Sequence, residues 1–410
     1  MSLFLRLILR GRVDVNINRL ENWRQPEKAV RWLLVLLIFS WGLLSCEGNQ
    51  EQVIHLAEKG VIPNPEASKN CSLASLRSLQ IDDEGSVYVL DPKDKKVKVF
   101  DVRGSCLYEF GKFGQGPGEF QSPTDIFLYG KILSVFDMGN KRSCQYSLAG
   151  EHLGDVDLRS LPGMFRPEAE DEEALYGNMI EYAEDGRDIL KLIKYDKKTK
   201  SLTTIYEVKP EHAFPGLNPL EVTFKLRLRT DKTLVWVYPE NYVIYLMTED
   251  GKKVKEIVQK YNRVEVTSED KDELLTEIFG GKEKITPGFN IVWPKYFPPV
   301  SLLLVDEGNN YIYVETNEKN KQGGIKYDVF DDNGNFRGSF YHGEPIRQIK
   351  NNMAYIVSED AEGCPMIKQY EIHFEPSPHL IRGAGLLAKP GEGCLLAFLR
   401  SREGLPAWPR

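Results

Sequence analysis

The sequence predicts an all-β fold, a six-bladed β-propeller closed by an N-terminal strand and carrying one short helical excursion. A set of four residues recurs at a spacing of 46, from position 91 to 137: Asp91, Phe100, Gly104 and Leu107 return as Asp137, Tyr146, Gly150 and Leu153. Short runs rich in Tyr, Val and Ile alternate with polar turns over most of the chain. A period of this size, carried by β-type runs, is typical of a propeller blade or a solenoid turn.

The composition argues against some classes of partner but does not identify a ligand. The chain has 410 residues, 41% hydrophobic and 28% charged, which is enough for one large domain or two ordinary ones. Its net charge of −7 and the lack of a basic stripe argue against a nucleic-acid partner. No CxxC motif or Cys/His zinc spacing is present, so the sequence predicts no metal and no cofactor.

Each repeat predicts an inner strand, a second strand, a third strand ending in a tight turn, and an outer strand. The predicted second strands are Val87–Leu90, Ile132–Phe136, Ile189–Ile193, Leu234–Val237, Tyr311–Val314 and Met353–Val357. The turns after the third strands end at Gly104, Gly150, Lys200, Gly251 and Gly334. The Asp/Asn-Gly pairs among them, at Gly251 and Gly334, supply the positive φ that tight hairpins need. This makes five complete units.

The sixth unit lacks an outer strand, because nothing like one follows Phe374. A strand-like run, Gln52–Ala57, lies before the first blade. An open blade would leave an unpaired edge, so we expect Gln52–Ala57 to pair beside Ile367–Phe374 and close the ring. The alternative is a seventh blade within the irregular stretches.

Three stretches depart from the repeat. Thr267 or Ser268 is expected to cap a helix that Gly280 ends, with an apolar face of Leu274, Leu275, Ile278 and Phe279. The acidic run Glu168–Glu173 reads as an exposed loop. Five aromatic residues near the helix predict either its seat or a partner surface: Tyr238, Tyr242, Trp293, Tyr296 and Phe297.

The N-terminus has the character of an export signal. Lys28 and Arg31 precede an apolar run, Trp32–Leu44, that is too short to span a bilayer. Leu43-Leu44-Ser45-Cys46 resembles the lipobox of bacterial lipoproteins. That resemblance implies lipidation at Cys46; an ordinary cleaved signal peptide is the alternative. The predicted organisation is an extension and lipoprotein signal peptide (1–45), a tether (46–51), the propeller (52–374) and an irregular tail (375–410).

A Gly-rich joint links the first two blades. Its residues are Gly111, Gly114, Gly116, Gly118, Phe120 and Pro123. A phosphate cradle would need a following helix with Lys-Ser/Thr, whereas Glu119-Phe120 and a strand follow, so a structural role is expected. The joint resembles the linker of NHL repeats. The chain from Gln52 to Phe374 is similar to the NHL-like or TolB-like six-bladed propellers of bacterial lipoproteins, which implies an exported, membrane-anchored module.

Charged residues on the predicted inner strands are the candidate binding site. They are Arg77, Asp125, Glu181, Arg227 and Arg347. Charges converging on a funnel favour ligand binding, and mutual ion pairs plugging the channel are the alternative. None of the six histidines falls at the start of an inner strand, and no nucleophile motif is present.

The sequence therefore favours a non-catalytic propeller that binds an unknown protein or small molecule at the bacterial cell envelope. It would be held there by a lipid anchor, facing the periplasm or the outer surface. The alternative function is an enzyme of lactonase or lyase type with a metal site in the central channel, which stoichiometric bound metal would favour. No catalytic residue is predicted.

Overall fold

A computed structural model describes residues 52–66, 71–161, 164–182, 188–208, 218–220, 223–238, 240–285 and 290–376. All belong to the second of two units into which the chain divides, Glu51–Arg410. The predicted signal peptide (1–45), Cys46 and the predicted tether lie outside the described residues, as does the predicted tail (375–410) except for residues 375 and 376.

Six four-stranded antiparallel sheets form the six predicted blades. Blade one contains β2 (Ser78–Ile81), β3 (Val87–Asp91), β4 (Lys96–Phe100) and β5 (Cys106–Phe110). Blade two contains β6 (Pro123–Tyr129), β7 (Ile132–Asp137), β8 (Arg142–Ser147) and β9 (His152–Asp157). Blade three contains β10 (Met164–Glu170), β11 (Ala174–Tyr182), β12 (Asp188–Asp196) and β13 (Leu202–Val208).

The second half of the ring follows the same order. Blade four contains β14 (Lys225–Leu228), β15 (Leu234–Val237), β16 (Val243–Met247) and β17 (Lys253–Val258). Blade five contains β18 (Val300–Asp306), β19 (Tyr311–Lys319), β20 (Ile325–Asp331) and β21 (Phe336–His342). Blade six contains β22 (Ile346–Lys350), β23 (Met353–Glu359) and β24 (Pro365–Pro376), with β1 (Gln52–Ile62) as its outer strand.

The predicted closure of the ring is confirmed. Strand β1 pairs antiparallel with β24, from Gln52 opposite Pro376 to Ile62 opposite Ile367, with one bulge between Glu58 and Gly60. The strand is longer than the predicted Gln52–Ala57. Because the first and last segments share one sheet, blade six has no missing strand.

The core consists of apolar layers between neighbouring blades. One layer joins Tyr88 and Leu90 of blade one to Ile126 and Leu133 of blade two. Equivalent layers lie at the other five blade junctions. The first strand of each blade contacts the first strand of the next, and β22 contacts β2. These six inner strands therefore surround the central channel.

The sequence repeat has a hydrogen-bonding role. Asp91 and Asp137 end the second strands of blades one and two, and both are fully buried. Asp91 accepts a hydrogen bond from the Ala74 backbone N–H, and Asp137 accepts two from Gln121 and Ser122. Each carboxylate thus fixes the segment that leads into its own blade, which explains the recurrence of Asp at this position.

The predicted turns are confirmed at four glycines. Gly104, Gly150, Gly251 and Gly334 adopt φ values of 80°, 82°, 84° and 70°. Lys200 takes the same left-handed conformation, at φ 59°, in blade three.

Blade three differs from its prediction in two ways. Its second strand is β11 (Ala174–Tyr182), and the predicted second strand Ile189–Ile193 belongs to the third strand, β12. The acidic run Glu168–Glu173 is no exposed loop, because it covers the end of β10 and the following turn. Glu170 and Asp171 are buried, and their carboxylates pair with Lys197 (2.7 Å) and Lys232 (2.6 Å).

The predicted helix is confirmed as α1 (Ser268–Phe279). Thr267 caps it with a capping box, and Gly280 ends it at φ 76°. Of the four predicted face residues, Leu275 is buried and Ile278 is exposed. The Lys271 ammonium lies 5.8 Å from the Trp293 ring centroid, and Lys295 lies over Tyr296. Among the described residues, no helix is long and apolar enough to cross a membrane.

A disulfide that spacing did not predict joins Cys71 and Cys106. It ties the segment between β1 and β2 to the outer strand of blade one. Cys144 is a buried thiol and Cys364 an exposed one.

Candidate functional site

Four of the five predicted channel residues lie on inner strands or directly before one. Arg77 precedes β2, Asp125 lies on β6, Arg227 on β14 and Arg347 on β22. The placement of Glu181 was wrong. It lies on β11, the second strand of blade three, where its carboxylate pairs with the Lys191 ammonium at 2.6 Å. The error follows from the misassigned second strand of that blade.

Three further charged residues share the channel and were missed. Arg166 and Glu168 lie on β10, and Lys225 lies on β14 beside Arg227. Arg166 and Glu168 are two residues apart, as are Lys225 and Arg227, and residues two apart on a strand share one face. This spacing was the signal that could have identified them. We define the channel cluster as the six residues that interact electrostatically across these strands: Arg77, Asp125, Arg166, Glu168, Lys225 and Arg227.

Glu168 is held from two sides. The Arg227 Nη1 atom lies 3.7 Å from Glu168 Oε2, and Asn178 Nδ2 donates to Glu168 Oε1 at 3.3 Å. Asn178 is fixed by the Phe224 backbone, donating to its carbonyl at 3.0 Å and accepting from its N–H at 2.8 Å. The Glu168 and Arg227 side chains keep 23% and 27% of their surface accessible, so both remain open to a ligand.

Burial in the channel shifts the protonation equilibria of the cluster. It raises the pKa of the Asp125 carboxyl, although Thr124, Arg77, Arg227 and Arg166 act in the opposite direction. Burial likewise raises the pKa of Glu168 and lowers the pKa of Arg227. The cost of desolvating these charges therefore exceeds the stabilisation that their neighbours supply.

The channel carries a cationic surplus. The cluster contains four basic side chains and two carboxyls, and Arg347 adds a fifth cation on β22. Among the described residues, the guanidinium groups of Arg77 and Arg347 form no hydrogen bond or ion pair. Arg227 and Glu168 do form an ion pair, but its atoms are a long 3.7 Å apart.

The predicted joint residues connect blades one and two. Phe120 is fully buried between the blades and meets Tyr146 edge-on, with ring centroids 5.9 Å apart. Gly111 has φ 89°, and a Cβ there would lie 2.3 Å from Phe120. Gly114 and Gly118 also adopt positive φ, and Pro123 begins β6. The Arg142 Nη2 atom donates to the Gly116 and Glu119 carbonyls at 2.6 and 2.7 Å, fixing the joint on blade two.

Asp125 and Glu168 are poor ligands for a divalent cation, because the basic side chains of the cluster surround them and would repel the ion. In the part of the chain that the structure describes, no three His, Cys, Asp or Glu residues group as a metal site requires. His55 stacks on His373, and His152 pairs with Asp155 at 2.8 Å.

These features define a six-bladed β-propeller with a charged central channel. The DUF5128 family, described as a 6-bladed beta-propeller, matches residues 64–225. No curated protein matches the chain. A solved member of the duf4221 family from Bacteroides vulgatus is 13% identical, with a TM-score of 0.50 over 80% of this chain and 99% of that one. At this identity the likeness shows the fold alone.

Two other solved structures are less similar. A protein of unknown function from Bacteroides thetaiotaomicron is 12% identical, with a TM-score of 0.44 over 79% of this chain and 77% of that one. A catalytically inactive virginiamycin B lyase from Staphylococcus aureus, solved with quinupristin, is 10% identical. Its TM-score is 0.38 over 78% of this chain and 99% of that one.

Proposed function

We propose that this protein is a non-catalytic ligand-binding propeller of the bacterial cell envelope, and that the channel cluster is its binding site. The observation that carries the proposal is the convergence of charged side chains from four blades on one channel. Arg77, which interacts with Asp125, and Arg347 add two exposed guanidinium groups. Charged side chains that converge on a concave site are typical of ligand recognition.

The envelope location is supported by two independent features. Trp32–Leu44 and the lipobox-like Leu43–Cys46 have the character of an export signal followed by a lipidation residue. The disulfide between Cys71 and Cys106 is of the kind that persists in oxidising compartments outside the cytosol. Cys46 would then carry the acyl chains that hold the propeller at the membrane.

A ligand screen with matched variants tests the binding site. The Tm values of the wild type, Arg227→Gln and Arg103→Gln are measured with and without each compound. The compounds are sugars, peptides, polyamines, carboxylates and phosphates. Arg103 is a suitable control because its side chain is 84% exposed on an outer turn. A ligand at about 100 times its Kd adds about 2.7 kcal/mol of stability.

The proposal expects a compound class that raises the Tm of the wild type and of Arg103→Gln but not that of Arg227→Gln. Equal effects on all three proteins would contradict a channel site. Turnover of a stabilising compound with stoichiometric bound metal would replace it with the enzyme alternative. The anchor is tested by labelling cells with a palmitate analogue: the wild type should incorporate the label, and Cys46→Ser should not.

A further inference from the structure

The charge balance of the channel is opposite to that of the chain. The protein carries a net charge of −7, yet five cations and two carboxyls lie on its inner strands or directly before one. The remaining charges of these strands are engaged elsewhere: Glu170 pairs with Lys197, Lys350 with Asp83, and Asp306 accepts from the Asn351 and Asn352 backbone. A local surplus of this kind concentrates anions in a cleft with low-dielectric walls.

Arginine chemistry indicates which anions would fit. A guanidinium presents a planar fork of N–H donors that matches the paired oxygens of a carboxylate or phosphate. Arg77 of blade one and Arg347 of blade six lie at adjoining inner strands, because β2 contacts β22. Neither guanidinium forms a hydrogen bond or an ion pair within the described residues, although Arg77 interacts electrostatically with Asp125 and Arg347 with Tyr327. Their donors, with those of Lys225 and Arg227, could address several oxyanion groups of one ligand.

The carboxylates of Asp125 and Glu168 interact with the same basic side chains that such an anion would contact. Asp125 interacts with Arg77, Arg166 and Arg227. Glu168 lies 3.7 Å from the Arg227 guanidinium and also interacts with Lys225 and Arg166. An anion that reached the same cations would be repelled by both carboxylates, and protonating them would remove that repulsion.

We propose that the channel binds a multivalent oxyanion, bearing carboxylate or phosphate groups, and that binding is coupled to proton uptake by Asp125 and Glu168. This inference rests on the proposed function, since it names the ligand class and the regulation of the same site.

The groups that face the two carboxyls come from five elements. Asp125 is faced by Thr124 on its own strand, Arg77 before β2, Arg166 on β10, Arg227 on β14 and Glu168 on β10. Glu168 is faced by Asn178 on β11 as well as by Lys225, Arg227, Arg166 and Asp125. Burial already raises the pKa of both carboxyls, so each takes up a proton more readily than an exposed carboxyl.

Linkage makes the coupling reciprocal. If an anion raises the proton affinity of the site, protons raise its anion affinity by the same factor. The anion affinity then increases by up to about tenfold for each unit by which the pH falls and for each proton taken up.

The test is isothermal titration calorimetry of the full propeller with citrate and, separately, tripolyphosphate, at pH 5.5 and pH 7.5. Each titration is run in two buffers of different ionisation enthalpy, which measures the number of protons exchanged. The inference expects tighter binding at pH 5.5 by about tenfold or more, with net proton uptake. The citrate and tripolyphosphate arms distinguish a carboxylate ligand from a phosphate ligand.

Uncharged variants assign the coupling to the two carboxyls. Glu168→Gln and Asp125→Asn should each bind the anion more tightly than the wild type at pH 7.5, and each should take up fewer protons. Glu273→Gln, an exposed change on α1, should behave as the wild type. Lys225→Gln should weaken binding about tenfold, and it serves if an acidic variant does not fold.

Two results would overturn the inference: an anion affinity independent of pH with no proton uptake, or weaker binding by both uncharged acidic variants. Its failure differs from that of the proposed function. If neither anion binds but a neutral or cationic compound does, and Arg227→Gln abolishes that binding, the channel remains the site and only the ligand class is wrong. If no compound distinguishes Arg227→Gln from Arg103→Gln, both proposals fail.

Discussion

His55 of β1 lies directly opposite His373 of β24, and their imidazole rings stack with centroids 5.2 Å apart. This pair marks the register of the seam that closes the ring. The neighbouring residue Ile54 is buried among Tyr327, Phe340 and Ile372, so the seam joins the core between blades five and six. A one-residue slip of β1 would move Ile54 into solvent and expose that core.

Truncating Ile54 should therefore weaken the whole ring. Ile54→Ala is expected to lower the free energy of unfolding by about 2–5 kcal/mol, because it removes buried methyl groups and leaves a cavity. Val53→Ala is the matched control, since Val53 is 42% exposed, and it should cost less than about 0.5 kcal/mol. Urea unfolding measures both, and equal losses would argue against a closing role for β1.

The disulfide should stabilise the entrance to blade one. Cys71→Ser is expected to lower the free energy of unfolding by about 2–4 kcal/mol, because the crosslink restricts the unfolded chain. Cys364→Ser changes an exposed free thiol and should be neutral. Thermal melts with and without reductant provide the measurement. A wild-type Tm that reductant leaves unchanged would mean that the bond contributes nothing.

Most of the fold was readable from local patterns, and the failures have physical causes. Leu234–Val237 and the helix after Thr267 match closely, because β-branched runs and a capping box are local signals. Strand β10 was missed because the acidic run Glu168–Glu173 was interpreted as a loop. The strand also contains Pro167, which lies at a bulge. Glu170 is buried because Lys197, in the turn after β12, neutralises it, and no local pattern reveals this contact.

The channel was only partly predictable for the same reason. Side chains alternate between the two faces of a strand, so Asp125 and Arg227 could be assigned to the channel once their strands were recognised. Because strand β10 was not predicted, its residues Arg166 and Glu168 were missed, and Glu181 was assigned to an inner strand although it lies on β11. Which charges meet depends on the angular order of the blades around the channel, which a single sequence does not encode locally.

Phe120 should be the critical side chain of the first joint. Phe120→Ala is expected to cost about 3–5 kcal/mol, because the ring fills the space between blades one and two. Phe113→Ala removes a ring from the same joint that is 70% exposed, and it should change stability by less than about 0.5 kcal/mol. Denaturant midpoints compare the two. Similar midpoints for both variants would contradict a packing role of Phe120 between blades one and two.

Glu168 should make stability depend on pH in a defined direction. Its pKa is raised above the ordinary value of 4.5, so its contribution to stability is complete at lower pH and is lost as the pH rises through the folded-state pKa. Gln cannot ionise. The free-energy difference between Glu168→Gln and the wild type should therefore move in favour of the variant from pH 4 to pH 8, by about 1.4 kcal/mol per unit of pKa elevation. Urea unfolding at pH 4, 6 and 8 measures it, and a change in the opposite direction would show that Glu168 is stabilised as an anion.

The most direct test of a cationic binding channel is a crystal structure grown with selenate, an oxyanion whose selenium gives an anomalous signal. The account predicts a selenium peak within the ring of inner strands, with selenate oxygens at hydrogen-bond distance from Arg227 or Arg77, and no such peak in crystals of Arg227→Gln. A channel without selenium, in which the arginines pair with Asp125 and Glu168 instead, would contradict it.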